Sequence, residues 1–510
     1  MAKREAQNLA DLEALEKLIQ SILQPHTLDS VLLGIWNKAN PGGFPEPFMV
    51  AGTVLFALRH CAPAFGSTRT APALNWRTLS PIVDLVTKYL LTDPVGFDDT
   101  VPNSTLSIFL RIVGNQFPYA VDPFGQHARS LMLYRDIPLA IAGQKHVPTF
   151  DFPAAFERVN GVSVQDFADV GLVAFAAAHG NMALDRGYFQ KARDQGILLP
   201  DEEAVAAVLN HLAADPGTFK EKYTKYKQED RRFGIYDFNP LFVFPFIRPW
   251  RLKKRTLAAQ YRMTAPLPNM ILWRISNGIY YQMQDHYKED FLPYFGRVFE
   301  TYVGEVLRHC VSPEMLLSEH DIRTAYSAKA GKAPDWVVIY DNTAILIECK
   351  ATRLSQLALV TGKEEAIKSS LGKVKEGLRQ LYEFTRACQS GQVRHPALQK
   401  CTAFCPVILT FESLLLSNSG PFREFLNGMV DDDVKALPWL ILSLDDLEQL
   451  QPHLSAGVAM PELFSQLRDR RFNDVLEEAH QQTGCTYQDT FLYQKDKETY
   501  ERLGVNHKGI

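Results

Sequence analysis

The stretch APDWVVIYDNTAILIECKA, residues 333–351, decides how the C-terminal half of this chain folds. Two apolar runs, Trp336–Ile339 and Ile345–Ile347, flank an Asp341-Asn342 pair. Asp and Asn tolerate the left-handed backbone of a two-residue tight turn, so the sequence predicts a β-hairpin. With that turn Tyr340 stands opposite Thr343, and facing residue numbers sum to 683. Asp335 then faces Glu348, and the two-residue period of a strand places Lys350 on the same side. A four-residue loop keeps this register, whereas a three-residue loop destroys it.

Two carboxylates side by side need a reason to stay there. At a separation of about 5 Å and an effective dielectric near 20 they repel by about 3 kcal/mol. Trp336, Val337, Val338, Ile339, Ile345, Leu346 and Ile347 surround them with apolar surface, which limits screening by water. Such a pair persists when a cation sits between the acids or when they share a proton. Hard oxygen ligands with several open positions suit Mg²⁺, with Mn²⁺ as a substitute. Lys350 is placed to neutralise one acid, to orient a water, or to stabilise charge building on a phosphate.

Pro334-Asp335 followed by Glu348-Cys349-Lys350 resembles the PD-(D/E)xK motif of the restriction-endonuclease-like nuclease superfamily. The resemblance covers about residues 290–445. It implies that Asp335 and Glu348 bind a divalent metal with help from the Cys349 backbone carbonyl, and that Lys350 positions or activates the attacking water. An acid on the first core helix often joins such sites, and Glu300 in FGRVFETYV is the match. Many members carry a Gln on the helix after the Lys; Gln380 in GLRQLYEF fits, with Phe384 where several relatives have Tyr. The implied fold class is α/β, a mixed-sheet restriction-endonuclease-like αβββαβ core. The implied activity is Mg-dependent endonucleolytic hydrolysis of phosphodiester bonds, with DNA favoured over RNA and a role in prokaryotic restriction or phage defence. The alternative is a catalytically silent nucleic-acid-binding or assembly protein that keeps the fold.

The local pattern of elements fits that order independently. LPYFGRVFETYVGEVLRHC, 292–310, has the apolar spacing of a helix, and EMLLSE reads as a strand. After the hairpin come a long amphipathic helix over 363–388, an apolar strand over 403–412, and a strand then helix over 438–450. The DDD at 431–433 reads as a solvated loop.

Upstream, the first ~290 residues read mainly as helix. NLADLEALEKLIQSIL places Leu9, Leu12, Leu15, Ile19, Ile22 and Leu23 on one side, and Pro25 ends the run. Similar stretches recur around 48–60, 80–91, 105–113, 165–179 and 201–213. At 510 residues two or three domains are expected. The divisions are a mainly helical regulatory or scaffold region 1–218, a basic connector 219–289, the nuclease-like domain 290–450, and a mostly helical extension 451–510. The helical N-terminal region is the expected surface for a second copy or a partner protein.

The net charge of −4 announces neither nucleic acid nor an anionic membrane, so any basic surface must be local. Residues 219–262 carry twelve basic against four acidic side chains, with Tyr223, Tyr226, Trp250 and Tyr261 interleaved. Cations that neutralise phosphates and rings that stack on bases mark this segment for nucleic acid, with Arg248, Arg251, Lys253, Lys254 and Arg255 as the named contacts. No apolar run reaches a membrane span's length, and the seven scattered cysteines suit a reducing, cytoplasmic setting.

Overall fold

A computed structural model describes residues 2–39, 46–61, 73–93, 95, 104–119, 121–181, 183–184, 186–248, 263–326, 331–414 and 416–504. Helix dominates, with one mixed five-stranded sheet and a separate two-stranded parallel pair, Ala213–Ala214 beside Phe246–Ile247. The large sheet consists of β1 (Leu316–Ser318), β2 (Trp336–Tyr340), β3 (Thr343–Lys350), β4 (Ala403–Thr410) and β5 (Leu440–Ser443), in that spatial order. β2 is antiparallel to both β1 and β3, and β4 and β5 continue parallel to β3.

The hairpin forms with the two-residue turn. Tyr340 pairs with Thr343 and Trp336 with Ile347, so the register is the one the sequence predicts. Asp341 takes a left-handed φ of 46°, which Asp tolerates better than most residues.

Both faces of the sheet are covered. Trp336, Val338, Ile345, Ile347, Val407 and Leu409 point into one core, with Phe295, Phe299, Val303 and Val306 of helix α1 (Asn277–Cys310). Val337, Leu346 and Ile408 alternate into a second core, with Leu371, Val374, Leu378 and Leu381 of helix α2 (Glu364–Gln389). That two-faced burial explains why β3 reads as a nearly continuous apolar run. α1 is bent at Lys288, whose φ of 44° and ψ of −116° interrupt the helical backbone.

Helix α3 (Leu444–Ser455) follows β5 directly, started by a capping box between Ser443 and Asp446. Of the predicted DDD loop, Asp432–Lys435 forms a single helical turn with Asp431 at its N-cap. Acids at a helix start are favoured by the backbone dipole, which suits the three aspartates here, although the Asp431 side chain makes no capping hydrogen bond.

The helical part is not one bundle. Leu12, Ile19, Leu23, Val54 and Val83 form a core with Phe219, Phe233, Ile235 and Leu241 from the basic segment. Phe156, Phe167 and Val208 belong instead to the core that covers the sheet, as do Phe491 and Leu492 near the C-terminus. Among the described residues no single helix is long and apolar enough to cross a membrane. All seven cysteines are unpaired.

Candidate metal and phosphate site

Asp335 precedes β2 by one residue and reaches across the hairpin mouth. Its Oδ2 accepts a hydrogen bond from the Cys349 backbone N–H at 2.7 Å, and its backbone carbonyl accepts one from the Glu319 N–H at 2.9 Å. Glu319 starts a short helix, Glu319–Arg323, fixed by a capping box between Ser318 and Asp321, and its carboxylate pairs with Arg323 at 2.9 Å. Glu300 arrives from α1. The Trp336 indole N–H donates to the Glu300 carbonyl at 3.0 Å, which ties the start of β2 to the helix. Gly304, one turn on, makes this contact possible: a Cβ there would lie 2.1 Å from the Trp336 ring.

Carboxylate oxygens of Glu300, Glu319 and Asp335 come within 4.8 Å of one another. Glu348 stands beside this trio on β3 but is held by Lys350, whose Nζ donates to Glu348 Oε1 at 2.5 Å and to Gln380 Oε1 at 3.4 Å. Glu376 orients Gln380 by accepting from its Nε2 at 3.0 Å. α2 lies close against β3 here, since a Cβ on Gly377 would fall 3.1 Å from Lys350 Cε and 3.4 Å from Glu348 Cγ.

The acids outnumber the cations that face them. Burial, then the neighbouring Asp335, pushes the Glu300 carboxyl up to about 8 against the pull of Arg297, which is hydrogen-bonded to it. The same two causes push Glu348 up to about 8 against Lys350. Burial lifts Asp335 to about 6 even though the Cys349 N–H and Lys350 favour its charged form. Burial works against the Lys350 ammonium, yet Glu348 outweighs it and raises the Lys350 pKa above its ordinary value. The amine therefore stays charged at neutral pH, whereas Glu300 and Glu348 keep protons there, because the four acids cannot all ionise beside three cations.

The five residues Glu300, Asp335, Glu348, Lys350 and Gln380 thus converge. The closest grouping differs from the expected pair, however, because Asp335 sits nearest Glu300 and Glu319. Cys349 contributes its N–H to Asp335, while its side chain packs into the core behind the sheet and burial pushes its thiol pKa well up. Glu319 lacked any sequence signal stronger than its place after a short strand. Beside the site a cleft of about 610 Å³ is bordered by Arg323, Lys332, Lys375, Arg379 and Gln380.

No family model, curated protein or solved structure matches this chain.

Of the named basic contacts, Arg251, Lys253, Lys254 and Arg255 lie outside the described residues, as do Trp250 and Tyr261. Arg248 is turned inward, its Nη2 donating to the Leu209 carbonyl at 2.9 Å and Asn210 Oδ1 at 2.7 Å. Tyr223 is buried with its hydroxyl on Asp237, so it offers no stacking face, whereas Tyr226 is exposed beneath the ammonium groups of Lys222 and Lys225.

Proposed function

We propose that the chain is a divalent-metal-dependent nuclease acting at this site. The observation that carries the reading is the convergence of four buried or half-buried carboxyls on three cations, Lys350, Arg297 and Arg323, with Glu300 and Glu348 pushed toward their protonated forms, a crowding that a divalent cation would relieve. The element order around it, one helix, three antiparallel strands, a helix and a parallel strand, supports a restriction-endonuclease-like core.

The donor set is all oxygen, which fits Mg²⁺ or Mn²⁺. Asp335 would hold the ion with Glu300 and Glu319, and Glu348 and the Cys349 carbonyl would complete the set on the hairpin side. A bound divalent ion supplies charge stabilisation at the phosphate and a water of lowered pKa. The protein's own contribution is positional. Lys350, charged and fixed by Glu348 and Gln380, points donors toward the place of attack; it orients the water and stabilises negative charge on the phosphoryl oxygens. A protonated amine accepts no proton, so Lys350 is not the general base. In-line attack breaks the bond to the 3′ oxygen and leaves 5′-phosphate and 3′-hydroxyl ends, as the resemblance implies.

The cleft beside Gln380 adds a place for the substrate backbone. Arg323, Lys332, Lys375 and Arg379 border it together with Glu376 and Glu383, which pair with Lys332 and Arg379; a phosphate would compete with those acids, and each cation it takes releases counterions. DNA is the favoured substrate, and restriction or phage defence the favoured setting, by resemblance.

The deciding experiment incubates plasmid, linear duplex, single-stranded DNA and RNA with Mg²⁺ or EDTA, comparing wild type with Lys350→Ala. Cutting that needs the metal and vanishes in the variant supports the reading. Equal cutting by both proteins removes it. Binding without cutting points to the silent assembly protein instead.

A further inference from the structure

A large cavity lies away from the carboxylate cluster. It encloses about 1400 Å³, and its wall contains none of Glu300, Glu319, Asp335, Glu348, Lys350 or Gln380. It opens where the parallel strands end: Arg353 follows β3, Glu412 follows β4 and Glu448 lies on α3 after β5. Crevices at the carboxyl ends of parallel strands are the usual ligand sites of open α/β sheets.

One side of the cavity is aromatic. Trp273 stacks on Tyr281 at 5.5 Å between centroids with an interplanar angle of 27°, and Phe242 meets Trp273 edge-on at 5.0 Å. The Arg353 guanidinium lies 4.1 Å from the Tyr281 ring centroid. Much of the wall's acid is already engaged. Tyr281 donates to Glu412, Arg129 pairs with Asp445 and Glu448, and Tyr223 donates to Asp237.

Arg274 is different. It is 4 % exposed, and among the described residues no carboxylate pairs with it. Its Nη1 has no hydrogen-bond partner, and its neighbour on the other side is the Phe167 ring at 5.1 Å. Burial with nothing to oppose it pulls its pKa down to about 10. His211 lies near enough that the Arg274 charge, after burial, lowers its pKa too.

A second orphan atom is an acceptor. Asn160 Nδ2 donates to the Phe156 carbonyl at 3.1 Å, so its Oδ1 accepts from Gln282 Nε2 at 2.9 Å. That chain fixes the orientation of both amides and leaves Gln282 Oε1, on the cavity wall, buried without a donor. The wall therefore offers an unpaired cation, an unpaired acceptor and a stacked aromatic face. An anion alone would use only the first. A planar base on a sugar phosphate uses all three, with the ring on the aromatic face, a hydroxyl or amine on Gln282, and the phosphate at Arg274.

We propose that this cavity is a binding site for a small nucleoside phosphate, with Arg274 holding its phosphate. The site is separate from the carboxylate cluster and does not rest on the nuclease reading. It is joined to it by β3, whose last residue is Lys350 and whose continuation reaches Arg353 in the cavity wall.

The test is calorimetric titration of the full chain with the four nucleoside 5′-monophosphates, adenosine and inorganic phosphate. At least one monophosphate should bind one-to-one, with adenosine and phosphate each weaker by about tenfold or more. Arg274→Met should weaken that monophosphate by at least about thirtyfold, the scale of truncating a buried charge pair, while leaving the thermal midpoint unchanged or raised. Asp335→Asn should bind it as wild type does. No binding of any monophosphate by wild type at about 1 mM, the weak end of the affinity scale, overturns the proposal, as does undiminished binding by Arg274→Met. Phosphate binding as tightly as the monophosphates overturns the nucleoside part. Should Arg274→Met not fold, the wild-type titration and Gln282→Leu, expected to weaken the monophosphate, decide it.

Discussion

Two clusters of buried charge meet helix α1, one at Glu300 and one at Tyr302, and they are built by opposite rules. Around Arg129 every buried charged group has a charged or hydrogen-bonding partner. Its Nε donates to Glu448 Oε1 at 3.0 Å, its Nη2 pairs with Glu448 and Asp445, and the Tyr302 hydroxyl donates to Glu448 at 2.5 Å. Asp169 is bound on the same principle by His127 and Arg502; burial works against its carboxylate, but these hydrogen bonds win and hold its pKa below the ordinary value. Around Asp335 the acids exceed the cations, and three carboxyls sit above their ordinary pKa. A matched network fixes one packing, here joining residues 126–131 to α3 and to α1. An unmatched one stores a demand for something the chain does not itself supply.

The sharpest way to break this contrast is to neutralise each side in turn. Asp335→Asn, Glu348→Gln and Lys350→Ala should each lower cleavage by about 10²- to 10⁴-fold. Asp335→Asn should do so with a melting temperature equal to or above wild type, because it relieves repulsion. A large loss of stability would place Asp335 with the matched network instead. Arg129→Ala should behave the other way, losing about 3–5 kcal/mol of unfolding free energy in urea titrations, because buried Glu448 is left without its cation. A loss below about 1 kcal/mol, the scale of an exposed pair, would end the distinction.

A gentler probe is pH. Glu300 and Glu348 hold protons up to about 8 in the folded state, far above the unfolded carboxyl value. Between those limits the folded protein binds more protons than the unfolded one, so these groups lose stability as pH rises. On the proposed reading Mg²⁺ would replace the protons. Its stabilisation, about 2.7 kcal/mol at a hundredfold excess over Kd, should be large at pH 8 and shrink toward pH 5.5. A thermal shift independent of pH would detach the metal from these carboxyls. The smallest effect expected is that of Gly304→Ala, which pushes Trp336 off α1 and should cost about 1–3 kcal/mol. It should also weaken Mg²⁺ binding, since Trp336 anchors Glu300; unchanged metal affinity would show that Glu300 is not a ligand.

What sequence made readable follows from range. The hairpin was legible because turn chemistry and a period of two act over a few residues, and they placed Asp335, Glu348 and Lys350 correctly on one side. Gln380 came only through the resemblance, which expects a Gln on the helix after the Lys. Glu319 did not, because a three-residue strand and a five-residue helix carry almost no pattern. Arg129 meets Glu448 across 319 positions, which no local rule connects. Arg274 did leave a trace: a lone Arg among Met270, Ile271, Leu272 and Ile275, all buried, is an anomaly in an apolar helix.

The Asp341-Asn342 turn has a consequence for how this chain can change over generations. Because opposite residues pair by a fixed sum, the turn can lengthen by two residues and leave every side chain on its own face. Adding or losing a single residue would carry Glu348 and Lys350 to the apolar core behind the sheet and bring Cys349 forward. Length variation in that short loop is therefore restricted to even steps, and descendants of this sequence that keep the site should differ there by pairs.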